Sequence, residues 1–174
     1  MALMAADSKS GLNLYVRGRW VTIFRIGIAL CAMMRQYNWT EFGLVYSASS
    51  AGISNCYYLE QDLESALTNF PTTLALVYVR IVPTTISNFS DVLDELSQRA
   101  RIVITCFEED AQKWKFVLQA KAKGMSTPEY VYIFPDVDNI GYGIGDSRLW
   151  DNKTALQDSK EAIEALQYAL IVRF

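Results

Sequence analysis

Carboxylates stand at two places in this chain where chemistry could use them. Glu108, Glu109 and Asp110 follow the apolar run 102–107, and Asp136 and Asp138 follow the apolar run 130–134. Acids gathered at the ends of neighbouring strands can hold Mg²⁺ or act as an acid and base pair. They also have a plainer use, because acids in the first turn of a helix stabilise its positive end by about 0.3 to 1 kcal/mol. The plainer use is favoured for both groups. Histidine is absent from all 174 residues, which removes Ser-His-Asp and Cys-His catalysis, the common zinc ligand sets and imidazole acid-base chemistry. No catalytic residue, metal site or cofactor is therefore assigned. Gly141, Gly143 and Gly145 alternate after a strand as in a phosphate-binding loop, but no lysine-serine pair and no helix follow, so nucleotide binding is not expected.

Composition sets the class. A hydrophobic content of 51% with 20% charged residues is that of a globular chain. The net charge of −3 and the scattered Lys and Arg give no nucleic-acid partner and no basic membrane patch. Three cysteines, Cys31, Cys56 and Cys106, lack CxxC spacing, and their odd number leaves at least one unpaired within the chain. Cys31 and Cys106 lie in apolar periodic segments and read as small buried thiols, whereas Cys56, just before a helix, is the better placed to form a bridge. Three sequons, at Asn38, Asn88 and Asn152, exceed the roughly one expected by chance and point to glycosylation in an extracellular setting.

The elements that position these residues follow from hydrophobic period. Residues 1–22 read as a leader of uncertain structure. The run 20–34 is apolar but interrupted by Arg25, too short and too charged for a membrane span, and fits a buried helix over about 24–37 better than a signal peptide. Strands are expected at 41–47, 74–82, 102–107 and 130–134; the last two are continuous apolar runs suited to a sheet covered on both faces. Between them, helical stripes run through Leu59, Leu63, Ala66, Leu67 and Phe70, through Phe89, Val92, Leu93, Leu96 and Ala100, and through Ala111, Trp114, Val117, Leu118 and Ala122. Glu60, Asp62 and Glu64 fall on a solvent face, Pro71 closes the first of these helices, and Asn88 suits the cap of the second, a role in competition with a glycan. After an irregular stretch over 135–157, Ala162, Ile163, Leu166, Ala169 and Leu170 form a last helix with Asp158 and Glu161 as capping pair, and no strand is expected after it. This alternation gives an α/β fold, a doubly wound and mostly parallel sheet. Such sheets bind ligands outside the carboxyl ends of their strands, which selects Ser47, Ser49, Thr84, Glu108 and Asp136 as ligand-binding candidates. The rival reading is a free-standing flavodoxin-like enzyme or phosphoacceptor domain holding Mg²⁺ with Asp136 and Glu108.

The segments ALCAMMRQYNWTEFGLVYS, CYYLEQDLESAL, RARIVITCFEEDAQKWKFVLQAKAKGMSTPEYVYIFPD and DSKEAIEAL resemble, in that order, the extracellular ligand-binding region of receptor-type guanylate cyclases of nematodes, relatives of natriuretic peptide receptors. The resemblance spans roughly 28–166. It implies the type I periplasmic-binding-protein fold, a two-lobed sensor that binds a peptide or small molecule on the extracellular side of the plasma membrane, and a homodimer in the full-length, single-span receptor. Residues 23–174 would be mostly one lobe, with the first lobe, membrane span and cyclase absent and hence no cyclase activity in this chain. The resemblance carries over no ligand-binding residue, so the five candidates rest on the strand ends alone.

Overall fold

The structure is a computed structural model that describes residues 20–48, 55–69, 73–136 and 164–173. Its elements are α1 (Trp20–Gln36), β1 (Glu41–Ala48), α2 (Asn55–Leu67), β2 (Ala75–Pro83), α3 (Ser90–Arg99), β3 (Ile102–Cys106), α4 (Asp110–Ala122), β4 (Val131–Asp136) and β5 (Ala169–Arg173). The five strands form one sheet in the order β2-β1-β3-β4-β5, and every ladder is parallel.

The helices divide between the two faces for a reason of handedness. Right-handed crossovers place a connecting helix on one face when the chain moves one way along the sheet and on the other face when it moves back. The chain steps from β1 to β2 in one direction through α2, then returns past β1 to β3 and on to β4 through α3 and α4. Accordingly α1 and α2 cover one face, where Ile26, Leu30, Met34, Leu59 and Leu63 meet Phe42, Leu44, Tyr46, Ile104 and Ile133. On the other face α3 and α4 bring Phe89, Leu93, Leu96, Phe116 and Ala120 onto Val45, Val103, Tyr132 and Phe134. Four rings pack there: Phe116 stands 5.4 Å from Phe89, 5.3 Å from Phe107 and 5.7 Å from Tyr132, centroid to centroid. Each such side chain contributes about 1.5 to 3 kcal/mol by leaving water. β1 and β3 sit inside the sheet and are buried along almost their whole length, as their predominantly apolar sequences lead one to expect.

Three expectations need correction. The chain has a fifth strand where a terminal helix was expected: Ala169 and Leu170 belong to β5, Asp136 pairs in register with Arg173, and helical residues occur only at 164–165 among those described. The β-rich ALIVR run at the open edge of β4 outweighs the weak helical period. On α4 the buried side chains are Gln112, Phe116, Val117 and Ala120, while Ala111 and Ala122 face solvent and Trp114 and Leu118 are half-buried. Asp62 is not on a solvent face but 4% exposed between α2 and α1. Its carboxylate accepts the Gly27 N–H, and a side chain at Gly27 would put its Cβ 2.5 Å from the Asp62 carbonyl oxygen, so the helices meet there by virtue of a glycine. The Phe70–Pro71 helix end and the Asp158–Glu161 capping pair lie outside the described residues.

Candidate ligand site at the carboxyl ends of the strands

The chain reverses its direction across the sheet between β1 and β3, the point at which doubly wound folds open a crevice. Two of the candidates meet there. Ser47, fully buried at the end of β1, accepts the backbone N–H of Glu108 with its Oγ at 2.8 Å. Glu108, on the turn after β3, is exposed and accepts the backbone N–H of Cys56 with Oε1 at 3.1 Å. Cys56 is the second residue of α2, so Glu108 satisfies one of the orphan donors of that helix and places a negative charge at its positive end. Helix stabilisation by this acid is thus real, but the helix is α2, not the α4 that follows Glu108 in sequence. Glu109 is the cap residue of α4 and makes no side-chain capping bond.

A disulfide joins the same elements. Cys56 and Cys106 are bonded, with Cα atoms 5.4 Å apart and a sequence separation of 50. Cys106 is therefore not the buried free thiol its apolar surroundings suggested, and the partner of Cys56 lies within this chain. Cys31 is free and buried, and burial, with Asp62 nearby, raises its thiol to about 11. Both sequence positions held the signal: each cysteine stands at the carboxyl end of the sheet, one on either side of the reversal. One turn inward, the buried Tyr46 phenol donates to Glu60 of α2, and burial followed by that hydrogen bond pushes it well above its ordinary range.

The next part of the rim is the turn after β2. Thr84 is half-buried in it, and Gln112 reaches over from α4 to donate its Nε2 to the Pro83 carbonyl at 3.0 Å. Seven residues along the same helix, Gln119 donates to the Ser87 carbonyl at 2.9 Å and accepts the Phe89 N–H at 2.6 Å. Two glutamines thus clamp the 83–89 loop to α4, a role that hydropathy could not signal. Asp136 ends β4, beyond β3 from the Ser47–Glu108 bond. Ser49, Asp138, Asn152 and the glycines at 141, 143 and 145 lie outside the described residues. Asn88 is exposed and its Oδ1 accepts the Ser90 N–H at 2.9 Å, one residue ahead of the assigned cap Phe89. A glycan attaches through Nδ2, so the turn and the modification do not compete as the sequence suggested. Among the described residues no group of three or more His, Cys, Asp or Glu could hold a metal ion, and no helix is long and apolar enough to cross a membrane.

A family model described as the receptor family ligand binding region matches residues 22–172. The chain belongs to that family. Members of the receptor ligand-binding family have a periplasmic-binding-protein-like domain, in keeping with the parallel sheet and its helices on both faces. Similar proteins include the receptor-type guanylate cyclases of Caenorhabditis elegans gcy-20, 31% identical over 124 residues, and gcy-14, 32% identical over 127 residues. These alignments cover 70% and 69% of this chain and 11% of each relative. A third, gcy-7, is 23% identical over 154 residues, covering 84% of this chain and 14% of the relative. The chain thus spans between 11% and 14% of the length of these curated relatives, and the part it spans is ligand-binding region, not cyclase.

Proposed function

We propose that this chain is one lobe of the extracellular ligand-binding domain of a receptor guanylate cyclase, and that its strand ends form one wall of the cleft that receives the cue. The observation that carries the reading is the β1/β3 reversal, where Ser47 fixes the backbone of Glu108 and leaves the Glu108 carboxylate at the surface. Thr84, Glu108 and Asp136, together with Ser49, are the groups offered to a peptide or small molecule; Ser47 positions Glu108. In the full-length protein the domain works as a homodimer on the outer side of the plasma membrane, and closure of the cleft is passed to the cyclase. Membership of a ligand-binding receptor family and the names of the relatives support this reading.

The test is a thermal-shift screen of the secreted chain against a library of short peptides and polar metabolites. A ligand present at a hundred times its Kd stabilises by about 2.7 kcal/mol. The expected hit loses its shift in Thr84→Val and Asp136→Asn and keeps it in a variant altered at the opposite end of the sheet, such as Asn38→Gln. Shifts that survive both rim substitutions would place the binding surface elsewhere.

A further inference from the structure

The opposite end of the sheet carries a site of another kind. At the amino ends of β1 and β2 a concavity of about 480 Å³ opens, lined by Arg35, Asn38, Trp39, Thr40, Glu41 and Leu74 among others. That volume is in the range of cavities that hold small organic groups. Asn38, Trp39 and Thr40 are the three residues of a sequon, so the acceptor asparagine lies on the wall of the cavity. Asn38 is exposed with φ at +56°, the left-handed position that ends α1. The bend it makes brings its two neighbours face to face, with the Tyr37 and Trp39 rings 4.9 Å apart and 24° from parallel. Tyr37 is 59% exposed, a large apolar surface left in water beside the asparagine. Arg35 and Glu41 form no ion pair among the described residues, and the Asn38 side-chain amide makes no hydrogen bond among them.

A structural role accounts for part of this. Helix ends favour Asn or Gly in the left-handed position, but glycine would serve that purpose, and neither the stacked rings nor the unpaired charges follow from it. An aromatic wall beside separate donors and acceptors is the chemistry that holds a sugar, whose ring has an apolar C–H face and a polar rim of hydroxyl and amide groups. We propose that Asn38 carries an N-linked glycan whose first N-acetylhexosamine lies in this cavity against Trp39, with Arg35 and Glu41 hydrogen-bonding its polar groups. In the modification the Asn38 Nδ2 forms a bond to C1 of the sugar of a lipid-pyrophosphate-linked oligosaccharide. The C1–O bond to the pyrophosphate breaks, the lipid pyrophosphate leaves with the bonding pair, and Nδ2 gives up one proton. The proposal rests on the extracellular assignment above, and the sequon at Asn88, which is exposed, is its internal control.

The experiment compares glycan occupancy and endoglycosidase release at Asn38 and Asn88 by peptide mass spectrometry. It uses the secreted full chain, its Trp39→Ala and Arg35→Ala variants, and native protein from its own cells. The expected result is a glycan at Asn38 released roughly tenfold more slowly than that at Asn88, the factor that about 1.4 kcal/mol of contact supplies. The difference should vanish in Trp39→Ala and shrink in Arg35→Ala, with occupancy unchanged. Arg35 is exposed, so its removal keeps the test open if the Trp39 variant folds poorly. An unmodified Asn38 beside a glycosylated Asn88, or equal release rates at the two sites, overturns the cradle alone. Native protein bare at both positions overturns the extracellular assignment, and the cradle with it.

Discussion

Asp62 predicts a pH dependence of stability that runs against the usual one for a carboxylate. Its side chain is enclosed between α2 and α1, one oxygen accepts the Gly27 N–H, and the other, Oδ1, has no partner among the described residues. Burial raises its pKa from 3.8 to about 6, against the lowering effect of the Gly27 hydrogen bond. The native state therefore holds this proton more tightly than the unfolded chain. The stabilisation associated with the neutral acid is complete below pH 3.8 and is lost as pH rises through 6. Two pKa units correspond to roughly 3 kcal/mol, lost mostly between pH 4 and pH 6. Asp62→Asn removes the titration and keeps an oxygen for Gly27, while its amide N–H groups occupy the place of the partnerless Oδ1 at a cost of about 1 to 3 kcal/mol. Urea unfolding of both proteins at pH 4.5, 5.5, 6.5 and 7.5 gives the comparison. The difference in stability, wild type minus Asp62→Asn, should fall by roughly 2 kcal/mol across that range and end near zero or below. A difference that stays flat, or that rises with pH, refutes the assignment of Asp62 as a buried carboxyl strained by ionisation.

Two further perturbations probe the same scaffold. Gly27→Ala places a Cβ 2.5 Å from the Asp62 carbonyl oxygen, so α1 and α2 must separate, and a loss of about 1 to 3 kcal/mol is expected in denaturant unfolding; an unchanged midpoint would mean the helices do not meet there. Cys56→Ser with Cys106→Ser opens a loop of fifty residues, worth about 4 kcal/mol on the chain-entropy relation; wild-type protein that unfolds at the same urea concentration with and without reductant would show that the bond is not formed.

Much of this architecture is legible in the chain, and what is not has a common cause. The runs at 102–106 and 131–134 announce interior parallel strands because no charged residue interrupts them, and the α3 stripe of Phe89, Val92, Leu93 and Leu96 is fully buried, as its spacing demands. Hydropathy fails where a polar side chain turns inward. Gln112 and Gln119 bind backbone groups of the 83–89 loop, and a reading that counts only apolar residues sets the α4 stripe on Ala111 and Ala122 instead. Asp62 falls with Glu60 and Glu64 by spacing for the same reason, although a glycine at position 27 of an otherwise continuous helix is the clue to its burial. The candidate site was legible as a place and not as a set of contacts. Strand order selects Ser47 and Glu108 as neighbours, but that one holds the other, and that Glu108 caps α2, depends on groups 52 and 61 residues apart.

Those long-range contacts bear on how a bound cue could be transmitted. The Ser47–Glu108 and Glu108–Cys56 hydrogen bonds and the Cys56–Cys106 bond lock β1, β3 and the start of α2 into one unit at the very edge a ligand would touch. A ligand shifts an equilibrium only by its differential affinity for the two states, and couplings between sites are typically 1 to 3 kcal/mol. Rearranging this edge would require breaking the hydrogen bonds, at about 0.5 to 1.5 kcal/mol each or more where a charge is involved, while the covalent Cys56–Cys106 bond keeps the end of β3 and the start of α2 together throughout. The hydrogen bonds alone would absorb about as much as such a coupling supplies, and the bridge holds the two elements in place. Under the proposed function the lobe therefore responds as a rigid body, moving relative to what it faces across the cleft, and the parts free to adapt to the cue are side chains of the rim such as Thr84 and the outer oxygen of Glu108.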